Sequence, residues 1–246
     1  MVEHVLRKIK KRLFPGPVDI SDEYINRLFC ANAGMLLRGN LYAFDYAIKN
    51  LPSDAPVVEI GSYCGLSTNV LTYYLEKYNK PNALFTCDTW EYMGEKDHLN
   101  PGAPYLQMVG EHPSLTREDY MQFVKNSFKQ NILMFSSRRL PFSYECTSSS
   151  FFSAWEHKAK SADLFGRMEQ MGGPISFCFV DGDHRYEYAR NDWENLDKYL
   201  ESGGFVLLDD SGDHISGSRN QLARELKNHS GYEYVLKNPN YLFRKK

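Results

Sequence analysis

The stretch VVEIGSYCGLST, Val57–Thr68, places an acid within a short apolar run and follows the run with two glycines four positions apart. Pro56 precedes the run, and its length is typical of a buried strand. Glycine lets a chain turn sharply and lets its backbone approach a ligand closely. A strand that ends at an acid and a glycine turn therefore predicts a ligand site.

Strand and helix patterns alternate through the rest of the chain. Helices are predicted at residues 21–31, 39–50, 66–78, 117–129, 186–200 and 218–228. Strands are predicted at 57–60, 83–87, 175–180, 205–208 and on both sides of Asn-Pro-Asn, 238–240. A further strand is either 132–135 or 142–146. This alternation predicts an α/β fold with a mostly parallel sheet and helices on both faces, whose ligand lies beyond the carboxyl ends of the strands.

Acids occur where these predicted strands end. Glu59 lies near the end of one strand, and three other strands are followed directly by Asp88, Asp181, and the pair Asp209 and Asp210. A single Asp after a strand often caps the next helix. Four strands that end in this way favour a shared site at one edge of the sheet.

The glycine spacing discriminates between nucleotide ligands. Gly61 and Gly65 give E-x-G-x-x-x-G, without the third glycine of the dinucleotide motif, and no Lys-Ser/Thr follows as a Walker phosphate loop requires. Asp88 suits a bidentate grip on ribose hydroxyls. S-adenosylmethionine, a cationic nucleoside with an amino-acid tail, fits this pattern better than NAD. An NAD(P)-binding oxidoreductase is the alternative.

Composition narrows the class of partner. The formal net charge of -2 over 246 residues gives no basic surface for nucleic acid. Five cysteines without metal-ligand spacing fit a reducing, cytoplasmic location. No apolar run approaches the roughly 20 residues that cross a bilayer, so stable membrane insertion is not expected.

The N-terminal residues form an amphipathic pattern before Pro15. Its apolar members are Val5, Leu6, Ile9 and Leu13, and five Lys and Arg residues surround them. Two interpretations stay open: weak contact with a membrane surface, or a short helix docked on its own domain or on a partner subunit of a homo-oligomer.

Two stretches of the sequence resemble motifs of known enzyme families. VVEIGSYCGLST resembles the first motif of class I methyltransferases, and its Gly-x-Tyr-Cys-Gly-x-Ser core is similar to that of catechol O-methyltransferase. FCFVDGDHRYE followed by GGFVLLDD resembles the macrocin O-methyltransferase family, which methylates hydroxyls of sugars and natural products. The likeness spans residues 50–215. It implies a Rossmann-like, doubly wound, mostly parallel seven-stranded sheet with an antiparallel C-terminal strand.

The resemblance also implies a division of the chain and a reaction. Residues 1–50 are predicted to form a helical cap on a methyltransferase domain, 51–246, with lid or insert segments near 92–116 and 137–173. The second insert holds CTSSSFFSAWEHK, which is interpreted either as an adenine contact or as the cap of an inserted helix. The predicted reaction is O-methylation of a small-molecule hydroxyl, on a sugar or glycosylated metabolite.

Residue roles follow from the same resemblance. The predicted cofactor-binding residues are Glu59, Gly61, Ser62, Tyr63, Gly65, Ser67, Asp88 and Trp90. The predicted ligands of Mg²⁺, or of another hard divalent cation, are Asp181, Asp209 and Asp210, since oxygen ligands suit such ions.

The predicted general base is His184 or Asp183. A histidine accepts a proton near neutral pH, which favours His184. The other residue would orient a ligand. The rival hypothesis is a non-catalytic scaffold that kept the fold. Three acids that converge on one point argue against it, because their mutual repulsion is costly unless a cation balances the charge.

Overall fold

The computed structural model describes residues 22–91, 117–183, 185–212 and 218–246. The helices are α1 Glu23–Ala31, α2 Asn40–Lys49, α3 Leu66–Lys77, α4 Arg117–Phe135, α5 Ser148–Glu156, α6 Tyr186–Asp197 and α7 Ser218–Asn228. The strands are β1 Val57–Ile60, β2 Leu84–Asp88, β3 Phe142–Glu145, β4 Lys160–Ala162, β5 Met168–Gln170, β6 Ile175–Val180, β7 Leu200–Leu208, β8 Tyr232–Lys237 and β9 Tyr241–Lys245. The predicted N-terminal helix and the 92–116 segment lie outside the described residues.

Seven strands form one sheet in the order β3-β2-β1-β6-β7-β9-β8. The first five are parallel, and β9 is antiparallel to both of its neighbours. The chain runs outward from β1 through β2 to β3, then returns to β6 on the other side of β1. The crevice beyond β1 and β6 is therefore the topological switch point, where such sheets bind ligands. The predicted seven-stranded, doubly wound fold is confirmed.

Helices cover both faces of the sheet, so the central strands β1 and β6 are buried along their whole length. One core cluster joins α1, α2 and α3 to one face, and a second joins α5, α6 and α7 to the other. Phe44 of α2 illustrates the contact, since its ring packs edge-to-face on Phe177 and Phe179 of β6 at centroid distances of 6.1 and 4.9 Å. None of the described helices is long and apolar enough to span a bilayer.

Two predictions of secondary structure near the third strand need correction. The strand is Phe142–Glu145, so the alternative at 132–135 is wrong, and the helix predicted at 117–129 continues to Phe135. The run Ile-Leu-Met-Phe at 132–135 buries Ile132 completely but leaves Leu133 and Met134 exposed. One-sided burial of this kind fits a helix that packs along one face.

Two further elements differ from prediction. β7 begins at Leu200 rather than 205, because a bulge opposite Ile175 and Phe177 and a positive φ of 84° at Gly203 let the strand continue across Gly203-Gly204. The 137–173 segment contains α5 and the small β4-β5 hairpin. Thr147 caps α5, since its side chain accepts a hydrogen bond from the Ser150 N–H, so the stretch CTSSSFFSAWEHK contains the cap of an inserted helix.

Candidate active site

The acids predicted to share a site end neighbouring strands. Hydrogen bonds continue one residue beyond the ladders: Gly61 N–H donates to Cys87 O at 2.9 Å, Asp181 N–H to Ile60 O at 2.8 Å, and Asp209 N–H to Val180 O at 3.0 Å. We call the region formed by the ends of β1, β2, β6 and β7 the carboxyl edge. It brings the backbones of residues 61, 181 and 209 side by side at the switch point.

The turn after β1 requires glycine at Gly61. Its φ is +85°, and a Cβ there would lie 2.1 Å from the Asp181 backbone oxygen. Gly65, at φ +86°, precedes α3, and its Cβ would lie 3.1 Å from the Phe128 ring. The two glycines therefore allow the chain to turn against β6 and to start a helix beneath the crevice.

Asp88 holds this turn through backbone N–H groups. Its Oδ2 accepts from Ser62 N–H at 2.8 Å and Tyr63 N–H at 2.9 Å, and its Oδ1 accepts from Trp90 N–H at 2.7 Å. Burial raises the pKa of the carboxyl, although these N–H donors act in the opposite direction. The acid after β2 thus shapes the loop that the glycines form after β1.

Glu59 lies under the same turn and is completely buried. Its Oε2 accepts a hydrogen bond from Thr68 Oγ1, whereas Oε1 is buried and lacks a partner of standard geometry among the described residues. Burial raises the pKa of Glu59 to about 7, against the opposing effect of the neighbouring hydroxyls. A buried carboxylate with an unmatched oxygen favours a nearby cation or donor.

Aromatic side chains brace the turn from the α4 side. Trp90 Nε1–H donates to Tyr63 O at 2.9 Å, the Trp90 ring packs on Phe128 at 4.9 Å, and the Tyr63 and Tyr120 hydroxyls share a hydrogen bond. Tyr63 and Trp90 both have positive φ, 45° and 46°. Such conformations are costly for residues with a Cβ and concentrate at functional sites.

The two predicted cofactor serines are buried. Ser62 is 2% exposed and its hydroxyl bonds to the Thr86 hydroxyl, while Ser67 is 7% exposed and lies beside Glu59. What Ser62 presents to the turn is its backbone N–H, which Asp88 accepts.

A buried amide network holds Asp209. Asn40 of α2 and Asn240 of the β8-β9 turn both donate to Asp209 Oδ1, and Asn240 also donates to Asn40 Oδ1 at 3.0 Å. Asn240 Oδ1 accepts from the N–H groups of Ser211 and Gly212 at 3.1 and 3.2 Å. The sequence does not reveal that these asparagines act together, because Asn40 and Asn240 are 200 residues apart and belong to no local motif.

The predicted metal ligands lie at the ends of adjacent strands. Val180 and Leu208 are register partners, so Asp181 and Asp209 follow at matching positions, and Asp210 comes next with a φ of 49°. The residue types fit a hard cation, since all three supply carboxylate oxygen. In the part of the chain that the structure describes, however, no three His, Cys, Asp or Glu side chains are grouped closely enough to hold a metal ion. The Mg²⁺ site stays a prediction.

Of the two candidates for the base, the structure describes Asp183. His184 lies outside the described residues. Asp183 forms a bidentate pair with Arg185, whose Nη2 lies 2.8 Å from Oδ2 and whose Nε lies 3.1 Å from Oδ1. The Arg185 N–H also donates to Asp183 Oδ1 at 2.9 Å. Such a pair stabilises the charged carboxylate and makes it a poorer proton acceptor.

An open groove of about 660 Å³ lies between α1 and α4 and contains none of the predicted site residues. Its members include Ala31, Phe123 and Asn131. Asn131 donates to Cys64 O at 2.9 Å, so the groove lies next to the glycine turn.

Comparison with known proteins bears on the family and the fold. Residues 58–211 match the family described as "Methyltransferase domain". A Bacillus cereus O-methyltransferase, solved in complex with SAH, has a TM-score of 0.57 at 10% identity over the full length of both chains. A calicheamicin methyltransferase has a TM-score of 0.54 at 15% identity, covering 96% of this chain and 90% of its own. Its apo structure describes it as a TDP-rhamnose 3′-O-methyltransferase.

One curated relative matches a shorter stretch. An uncharacterized protein, R132, of Acanthamoeba polyphaga mimivirus is 33% identical over 51 residues. That match spans 21% of this chain and 23% of the relative, so less than a quarter of the relative's length is covered.

Proposed function

This chain belongs to the methyltransferase domain family, and we propose that it transfers the methyl group of S-adenosylmethionine to a hydroxyl of a small molecule, a sugar or a glycosylated metabolite. The observation that carries the proposal is the glycine turn held by Asp88 at the switch point. The calicheamicin methyltransferase, a sugar O-methyltransferase by its description, has the same fold and supports the class of acceptor.

The cofactor site is built from the turn and the acids around it. Asp88 presents a carboxylate to the ribose hydroxyls, with its orientation fixed by the N–H groups of the turn. Glu59 lies below the turn, where its unmatched oxygen favours the cationic amino-acid end of the cofactor. Tyr63, Gly65 and Trp90 shape the wall between these two ends.

The chemistry is an in-line displacement at the methyl carbon. The acceptor oxygen attacks the methyl group, the carbon–sulfur bond breaks, and the electron pair stays on sulfur as S-adenosylhomocysteine leaves. The hydroxyl proton must go to a base. His184 is the better candidate, because Arg185 engages Asp183 and leaves Asp183 to order the start of α6.

Asp181, Asp209 and Asp210 would hold a divalent cation. When bound, such an ion lowers the pKa of an acceptor hydroxyl and orients it. The amides of Asn40 and Asn240 keep Asp209 in place from below, as supporting hydrogen bonds commonly do for metal-binding carboxylates.

Other aspects of the proposal follow from composition. A near-neutral charge favours a small acceptor over nucleic acid. Free cysteines favour a cytoplasmic location. For the basic N-terminal segment we propose either docking on a partner subunit of a homo-oligomer or weak contact with a membrane surface.

The decisive experiment screens acceptors with labelled S-adenosylmethionine, with and without EDTA. Nucleotide sugars, glycosides and catechols form the library. We expect O-methyl products that EDTA abolishes. His184→Ala should lower turnover by roughly two to four orders of magnitude if His184 is the base. His157→Ala is the matched control, since His157 is exposed and its ring bonds to Ser153 O of the preceding helix.

Three results would contradict separate parts of the proposal. Methyl groups on nitrogen or carbon would exclude the hydroxyl acceptor. Full activity in EDTA would exclude the metal. An active His184→Ala variant would exclude His184 as the base.

A further inference from the structure

Two cysteines meet beside the predicted ribose site. Cys87 precedes Asp88 in β2, and Cys146 directly follows β3. Cys87 is the register partner of Tyr144, and because side chains alternate along a strand, Cys146 lies on the same face of the sheet as Tyr144. The two side chains are therefore diagonal neighbours on adjacent strands. Cys87 belongs to one core cluster, and Cys146 packs against the same cluster.

The two thiols differ in accessibility and in charge. Cys87 is 1% exposed, whereas Cys146 is half-buried and can be reached from solvent. The Cys87 thiol, as a hydrogen-bond donor, lowers the pKa of Cys146, while the Cys146 thiol and burial raise the pKa of Cys87. The accessible sulfur is thus the better nucleophile, and the buried one lies next to it.

Cys146 is coupled directly to the cofactor acid. Its backbone N–H donates to Asp88 O at 3.0 Å, and the Asp88 carboxylate accepts from the N–H groups of the glycine turn. The next residue, Thr147, caps α5. A new bond at Cys146 therefore displaces either the Asp88 backbone or the start of α5.

We propose that Cys87 and Cys146 form a dithiol that peroxide oxidises to a disulfide, and that the disulfide weakens cofactor binding. The Cys146 thiolate attacks peroxide, whose O–O bond breaks, giving a sulfenic acid on Cys146 and hydroxide. The Cys87 sulfur then displaces the sulfenic oxygen, which leaves as water with the Cys87 proton. Two thiols are oxidised and one peroxide is reduced to two waters. A dithiol reductant reverses the change.

The test uses the full chain, reduced and then titrated with hydrogen peroxide. Remaining thiols are alkylated and the peptides are mapped by mass spectrometry. We expect a Cys87–Cys146 cross-link, and a loss of two hydrogen atoms in intact mass. In Cys87→Ala a dimedone-reactive sulfenic acid should persist on Cys146, whereas Cys146→Ser should form neither product. Cys30→Ser is the matched control, since Cys30 is exposed on α1 and far along the chain from both thiols.

The effect on ligand binding rests on the proposed function, whereas the cross-link does not. Oxidised wild type should lose the calorimetric signal with S-adenosylhomocysteine and regain it after dithiothreitol, while oxidised Cys146→Ser should keep it. Oxidation that targets Cys30 and leaves residues 87 and 146 reduced would overturn the dithiol. A cross-linked protein with unchanged affinity would overturn the link to binding. If even the reduced protein gives no signal, the proposed function fails and the cross-link is judged on mass alone.

Discussion

Among single residues, Glu59 links the stability of this protein to pH. Its pKa is about 7 in the folded chain, raised by burial from an ordinary value of 4.5. Between these two values the folded state keeps a proton that the unfolded state has lost. The free energy of unfolding should therefore fall as pH rises from 4.5 to 7, by about 3 kcal/mol in total, and level off above that range.

Urea unfolding of wild type and Glu59→Gln across this pH range measures the effect. The variant should lose this part of the pH dependence. Glu187→Gln is the control, because Glu187 is exposed on α6. A wild-type profile that rises steadily with pH in this range, and that Glu59→Gln does not alter, would contradict the assignment.

Asn240 is the residue on which the network around Asp209 depends. Its side chain bonds to Asn40, Asp209 and two backbone N–H groups, all in the interior. Asn240→Ala removes the acceptor of the Ser211 and Gly212 N–H groups and one of the amide donors to Asp209, and should lower the free energy of unfolding by roughly 2–4 kcal/mol.

Chemical denaturation of Asn240→Ala beside Asn228→Ala provides the comparison. Asn228 is exposed and its side chain bonds to Arg224 O of its own helix, so its loss should matter little. Equal stability of the two variants would show that the network does not support the carboxyl edge.

At the scale of elements, the turn between β1 and α3 is defined by backbone contact rather than by side chains. Gly61 and Gly166 both have positive φ, +85° and +76°, but only Gly61 would bring a Cβ against backbone, whereas nothing lies within 4 Å of Gly166. Gly166→Ala should cost only the conformational penalty, about 1–2 kcal/mol. Gly61→Ala should cost clearly more, because β1 and β6 must move apart.

Thermal unfolding of the two variants separates conformational strain from steric contact. We expect Gly61→Ala to melt at a lower temperature than Gly166→Ala and to lose ligand binding. Similar melting temperatures with intact binding in both would mean that the turn can move away from Asp181 at little cost.

The central strands could be predicted because each carries its own signal. Val57–Ile60 and Ile175–Val180 are short apolar runs bounded by Pro, Gly or Asp, and parallel strands covered on both faces need such runs. The end of α4 could not be predicted in the same way. Four apolar residues at 132–135 fit a strand or a buried helix equally, and only packing shows that Leu133 and Met134 face outward.

For the whole molecule, the site divides into a predictable and an unpredictable part. Acids at strand ends are visible in a sequence, because strand order places them on one edge. The partners of those acids are not visible. Asp88 accepts hydrogen bonds from the backbone N–H groups of residues 62, 63 and 90. Asp183 forms an ion pair with Arg185. Asn40 and Asn240, from opposite ends of the chain, both donate to Asp209.

Titration calorimetry with S-adenosylhomocysteine tests the central claim, a nucleoside site at the carboxyl edge, most directly. The wild-type chain should bind one equivalent, and NAD should give no heat. Asp88→Asn should weaken binding by roughly 10- to 100-fold, because a charged acceptor of several hydrogen bonds is lost. Asp54→Asn, at an exposed position, should bind as wild type does. No heat with S-adenosylhomocysteine together with a clear signal from NAD, or unchanged affinity in a folded Asp88→Asn variant, would contradict the account.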